Sequence, residues 1–249
     1  MALLGVGVFN NLKVTKVVVN NVDGKQSLDV TFSEDVVKPE GEVSDLDMFN
    51  SSSTGEAKQN NIRFYPVTLE NYDGGTKSGD DLVNEVFGLQ DKEKGTREVT
   101  GLKAQLTHIL SAYLPQDKIK WNLFDGLEIK DAKDLTQKIT KQNILDKVMS
   151  NIFTQFKAMI EPVMQDEKVA VKFLRKSQQS NFPRLNARKI DWNPFIANEK
   201  DEKLKSKLKF SPYEIEKGLD SNAPSLDGAD SANADELAAQ VAATNSVFG

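Results

Sequence analysis

A mixed β fold with a helical insertion is what this sequence predicts. Three observations carry it: a Val-rich pair of strands around Asp23-Gly24, two amphipathic helical segments in the middle of the chain, and a return to alternating residues at Lys168–Leu174. The order is β-β-β, then helices, then β-β. That is the order of a five-stranded barrel of the OB type, in which helix separates the third and fourth strands.

Leu12–Val19 is the first strand, and Asp23-Gly24 sits in the turn that follows. Ser27–Ser33 then alternates, with Leu28, Val30 and Phe32 on one face and Ser27, Asp29, Thr31 and Ser33 on the other. Two such runs around Asp-Gly signal a hairpin. Residues 34–61 are acidic and polar and read as a long loop. Ile62–Leu69 is a short strand, placed at an edge or interrupted because of Pro66. Asp80–Phe87 has the length of one or two helical turns.

The helical insertion spans about 80–165. Leu102, Leu106, Ile109, Leu110, Tyr113 and Leu114 share one helix face, which ends at Pro115. Lys118–Ile129, with Asp125-Gly126, reads as a small hairpin. Leu145, Val148, Met149, Ile152, Phe156, Met159 and Ile160 then line a helix that starts near Thr140 and stops at Pro162. In Lys168–Leu174, Val169, Val171 and Phe173 face the core, while Lys168, Ala170 and Lys172 face outward. Leu185–Ile190 is the last strand.

Composition narrows the chemistry. The chain has 249 residues, no Cys and one His. Disulfides, thiolate zinc sites, Cys nucleophiles and multi-His metal centres within one chain are therefore excluded. No cofactor and no metal are expected. No apolar run approaches the ~20 residues of a membrane span, and the short apolar start lacks a basic region, so it is not a secretory signal. Binding or assembly is favoured over enzymatic chemistry.

The net charge of -5 is unevenly placed. Residues 218–249 carry Asp220, Asp227, Asp230, Asp235 and Glu236 with no basic residue, so residues 1–217 are neutral. The first reads as an acidic disordered tail, with a short helix around Ala234–Ala243, and the second as the OB-like domain. Residues 168–190 are the opposite: Lys168, Lys172, Arg175, Lys176, Arg184, Arg188 and Lys189, with no acid. Residues 200–210 add five lysines.

Phe173, Phe182, Trp192 and Phe195 are interleaved with these cations or follow them directly. Cations neutralise phosphates and flat rings stack bases, so the band fits single-stranded nucleic acid. Phe173 shares the apolar face of its strand and belongs to the core; whether Trp192 and Phe195 are core or site stays open. Arg63, Phe64 and Tyr65 form a smaller cluster of the same kind. The tail has two readings, a competitor for the basic band or a docking peptide tipped by Phe248. His108 lies on an amphipathic helix and reads as structural, and Gly5-Val6-Gly7 carries no phosphate-loop continuation. Asp125, Glu128 and Lys130 resemble the carboxylate-carboxylate-Lys set of a Mg²⁺ nuclease but are compressed into a turn.

The Val-rich hairpin, the helical middle beginning at Leu102, the strand Val169-Ala170-Val171-Lys172-Phe173, the Arg/Lys-rich segment leading to Asn193-Pro194-Phe195-Ile196 and the acidic Ala/Ser tail have a common resemblance. Together they resemble the single-stranded DNA-binding proteins of tailed bacteriophages. The resemblance is one of layout over most of the chain. It implies an OB fold, sequence-tolerant binding of single strands during replication and recombination, and a tail that contacts replication proteins such as a polymerase or helicase. It also implies a viral, non-secreted protein in the host cytoplasm, away from membranes.

On this reading Arg175, Lys176, Arg184, Arg188 and Lys189 meet phosphates, Lys168 and Lys172 form the groove wall, and Phe182 and Trp192 stack bases. Arg63 and Tyr65 add a second patch. Asp227, Asp230, Asp235, Glu236 and Phe248 form the partner-binding tail. The alternatives are a virion structural or assembly protein and a Mg²⁺-dependent nuclease.

Overall fold

The computed structural model describes residues 3–22, 25–34, 57–88, 101–175, 182–185 and 194–220. The Asp23-Gly24 turn, most of the 34–61 loop, the 186–190 part of the expected last strand, Lys176, Arg188, Lys189, Trp192 and the tail beyond residue 220 lie outside the described residues.

β1 (Gly7–Val22) and β2 (Lys25–Glu34) pair antiparallel from Leu12↔Glu34 to Val22↔Lys25. β3 (Gln59–Phe64) adds to the far edge of β2. β4 (Val169–Arg175) pairs with the first half of β1, from Gly7↔Phe173 to Leu12↔Val169. One long strand thus serves two neighbours, and bulges let it turn between them. Two residues of β1 oppose one of β4 between Phe9 and Leu12, where Asn11 takes φ 60. A second register shift falls at Thr15, between Val14 and Lys16. Each bulge bends the strand and adds twist, and Asn is among the side chains that tolerate positive φ.

β5 (Pro183–Leu185) and β6 (Ile196–Asn198) lie on the same edge of β4. Leu185 pairs with Phe173 and Ile196 with Val171, so the register on β4 continues across the break. They are two pieces of one fifth strand. The order β3-β2-β1-β4-β5 nearly closes into a ring because β5 lies beside β3. This is the OB-like barrel. Its interior holds Leu12, Val14, Val17, Leu28, Val30, Phe32, Ile62, Phe64, Val169, Val171 and Phe173. Phe32 and Phe173 meet edge to face at 5.6 Å.

The N-terminal segment is tied to β3 by an amide pair. Fully buried Asn60 accepts from Gly5 N–H at 3.0 Å and donates to Gly5 O at 2.8 Å, and Leu3 bridges Gln59 in parallel. The Gly-Val-Gly run is a strand lead-in.

Among the described residues, four α-helices lie between β3 and β4: α1 (Gly79–Phe87), α2 (Leu102–Ser111), α3 (Ala132–Lys138) and α4 (Gln142–Ile160). α1 begins on a capping box between Ser78 and Asp81. α4 buries Leu145, Val148, Met149, Ile152, Phe153, Phe156 and Ile160 and packs on β1 and β2. The expected hairpin at 118–129 is instead a set of turns. Buried Asn151 on α4 donates to Leu123 O at 2.9 Å and Asp125 O at 3.0 Å, Gln155 brackets Asn122, and Trp121 Nε1 donates to Thr107. Side chains from α4 occupy backbone groups that a hairpin ladder needs. No helix among the described residues is long and apolar enough to cross a membrane.

After β6 the chain folds back over the outer face of β4 through α5 (Glu202–Lys205) and α6 (Pro212–Glu216). This covering overturns the alternation expected for β4, because all seven of its residues are buried. Ala170 packs with Ala197 and Leu208, and Lys172 pairs with Glu214. The last described contact is Arg175 N–H to Leu219 O at 2.9 Å. Leu219 is thereby tied to the end of β4.

Candidate nucleic-acid interface

On the outer face of the β1–β2–β3 sheet, the register sets out two rows. Val18, Asp29 and Arg63 lie side by side, as do Lys16, Thr31 and Asn61. Arg63 holds Asp29 with a fork, Nε to Oδ1 and Nη2 to Oδ2, both at 2.7 Å. The guanidinium holds the Asp29 carboxyl below the usual carboxylate range, and the carboxylate in turn raises Arg63. The pair fixes the plane of an arginine that stays 48 % exposed on its side chain. Two residues on, Tyr65 leaves the strand 65 % exposed.

Lys13 and Lys16 are missing from the sequence reading of this face. Three residues apart in a regular strand they would point to opposite sides. The bulge at Thr15 absorbs one residue, so Lys13 falls opposite Ser33 and Lys16 opposite Thr31, both on the outer face. The one signal in the sequence is the apolar phase, which changes from Leu12 and Val14 to Val17 and Val19.

β5 carries the second cluster. Phe182 precedes it, 75 % exposed, and Arg184, half-buried, lies opposite Leu174 of β4. Because β5 lies beside β3, Arg184 and Arg63 stand on neighbouring strands at the closing seam of the barrel.

The remaining expected residues divide. Lys172 is withdrawn from the groove wall: it is 1 % exposed, with its ammonium on Glu214 under α6. Arg175 is withdrawn from phosphate contact, being 6 % exposed beneath the C-terminal segment. For Lys172 the cause is that period-2 alternation assumes one face in water, and here the segment after β6 covers that face; Arg175 has the strand phase of Val171 and Phe173, the face turned to the core. Lys168 precedes β4 and is half-buried. Lys176, Arg188, Lys189 and Trp192 lie outside the described residues, as do Asp227, Asp230, Asp235, Glu236 and Phe248. Phe173 and Phe195 are core.

His108 stacks on Phe195 at 4.2 Å, and its Nε2 lies 3.0 Å from Ile196 O. Burial pushes the imidazole below its usual value, so the neutral ring donates from Nε2 and ties α2 to β6. Asp125, Glu128 and Lys130 sit exposed on the turn that Asn151 holds. Among the described residues no three His, Cys, Asp or Glu side chains gather as a metal site.

Fold and surface together define an OB-like barrel protein with a helical insertion between β3 and β4 and a covering segment after β6. No family model, no curated protein and no solved structure matches this chain.

Proposed function

We propose that this chain is a non-enzymatic protein that binds single-stranded DNA without strong sequence preference. Its work is in phage DNA replication and recombination, in the cytoplasm of the host cell. The supporting observation is the seam of the barrel. There β3 carries Arg63 and leads into exposed Tyr65, and the neighbouring β5 carries Arg184 and follows exposed Phe182, so each strand at the seam brings a cation and a ring. In OB barrels the β2–β3 face and the loops after β1 and β4 take up oligonucleotides. Here Phe182 directly precedes β5, and Lys176 follows β4 in the sequence.

The mechanism is backbone electrostatics plus stacking. Arg63, Arg184 and Lys16 meet phosphates, joined by Lys176, Arg188 and Lys189 from the intervening segments. Tyr65, Phe182 and Trp192 supply rings on which any base can stack. The acidic tail competes with the strand for these cations and contacts replication proteins.

The test is binding of a labelled oligonucleotide across a salt series. With ~4–6 phosphate contacts the log–log slope should be roughly -3 to -4 on a single strand, with weaker binding to duplex. No binding at low salt, or binding indifferent to salt, would overturn the reading.

A further inference from the structure

The segment that covers β4 is itself rich in lysine. Between Asp201 and Lys217, the side chains of Lys203, Lys207, Lys209 and Lys217 are exposed. Three of the four acids in that stretch are engaged locally. Glu202 takes Lys205 at 2.9 Å, Asp201 accepts from Leu204 N–H at 3.0 Å, and Glu214 is buried on Lys172. Glu216 is the fourth and is exposed.

α6 sets a ring among these cations. Tyr213 is 60 % exposed, and Lys217 Nζ lies 5.9 Å from its ring centre. Residues four apart share a helix face, and this one looks into solvent while Glu214 is buried against β4. A ring with a cation beside it is also what each strand of the seam brings.

The cover reaches the seam. Leu219 O accepts from Arg175 N–H at 2.9 Å, and the ladder partner of Arg175 is Pro183, the residue after Phe182. Arg184 lies opposite Leu174, which has the strand phase of Lys172, so Arg184 stands on the side of the sheet that the cover packs on. With about 3.8 Å per Cα step and about 5 Å between hydrogen-bonded chains, Lys217 lies within roughly 25 Å of Phe182. A single strand at ~3.4 Å or more per nucleotide crosses that span in about eight nucleotides, inside the ~4–16 that an OB fold takes up.

We propose that the covering segment extends the single-strand path beyond the seam, with Tyr213 stacking a base and Lys217 meeting a neighbouring phosphate. The inference rests on the single-strand reading and adds to it a further ring and cation from the residues after β6.

The test is binding of a labelled oligo-dT longer than that span, across a salt series. Tyr213→Ala should weaken binding about five- to hundredfold, the loss expected of one stacked base, with the salt slope unchanged. Tyr213→Phe keeps the ring and should bind like wild type. Lys217→Ala should flatten the log–log slope by about 0.7, whereas Lys133→Ala, an exposed lysine on α3, should leave it as it is. Tyr213 and Lys217 are exposed, so the variants keep the fold, which thermal melts check. If the wild type binds and Tyr213→Ala binds as tightly, or Lys217→Ala keeps the full slope, the cover lies off the path and the seam alone carries the single-strand reading. If the wild type does not bind at low salt, both fall.

Discussion

Lys172 of β4 and Glu214 of α6 form an ion pair that is closed off from water. The ammonium lies 3.1 Å from each carboxylate oxygen and 3.2 Å from Lys209 O, and the two side chains are 1 % and 4 % exposed. Glu214 also accepts from Ser211 N–H at 2.7 Å, closing the capping box of its own helix. Burial draws the Lys172 ammonium below the usual lysine range, and the facing carboxylate pulls it back. One pair therefore anchors the C-terminal segment to the barrel.

Breaking that pair from one side should be costly. Lys172→Met leaves Glu214 buried and unmatched, and should destabilise the fold by about 3–5 kcal/mol. Adding Glu214→Gln removes the stranded charge while keeping an acceptor for Ser211, so part of the loss should return. Denaturant titration of the single and double variants checks both. A single variant as stable as wild type would show that the segment is held by other contacts.

Stacking and charge separate by substitution. Phe182→Ala should lose about 1–3 kcal/mol of single-strand affinity with salt slope and melting temperature unchanged, since the ring is exposed. Arg63→Ala should instead flatten the slope by about 0.7, one phosphate contact on a single strand. Asp29→Asn, which frees the Arg63 fork, should tighten binding. For Trp192→Ala both the melt and the affinity are needed. A destabilised variant that binds normally would remove Trp192 from the site.

The tail should be dissected at residue 221. It follows Leu219, whose carbonyl accepts from Arg175 N–H at the end of β4. Deleting 221–249 should tighten single-strand binding several-fold at low salt, with a gain that shrinks as salt screens the attraction. Melting should not change, and recruitment of replication proteins should be lost. Deletion from 218 should lower the melting temperature as well, because it removes the Leu219 carbonyl and its buried side chain. Affinity unchanged at every salt would leave the tail a docking or solubilising role.

His108 sets an acid limit. Its folded pKa lies below the ordinary 6.5, so as pH falls below that value the unfolded chain takes up a proton that the folded one refuses. Stability should drop by at most roughly 1.4 kcal/mol per pH unit until the folded pKa is reached. Asp29, Asp134 and Glu167 are all held below their ordinary values of 3.8 to 4.5, so their losses begin at lower pH. The chain has one His, so the window just below 6.5 belongs to it. Urea midpoints at about pH 7 and about pH 5 should differ for wild type and coincide for His108→Gln, which retains a donor for Ile196.

The sequence by itself determined the elements with a strong period. The faces of β2 and α4 were legible because each buries one side against the core, so hydrophobicity alone marks Leu28, Val30 and Phe32, or Leu145 through Ile160. The β-β-β, helix, β-β order followed, and with it the barrel. Candidate rings at Tyr65 and Phe182 were legible as aromatics beside cations, and the structure leaves both exposed.

Tertiary structure decided the rest. Lys172 looks like an outward residue of an alternating strand until α6 closes over it, and no local pattern announces a cover that arrives some forty residues later. Lys13 and Lys16 share a face because of a bulge, which is set by pairing to β2. The fifth strand is divided between Leu185 and Ile196 because its register is written on β4. The turns at 121–127 follow from Asn151 and Gln155 reaching across from α4. In each case the deciding partner is distant in sequence, and period, propensity and charge report only on neighbours.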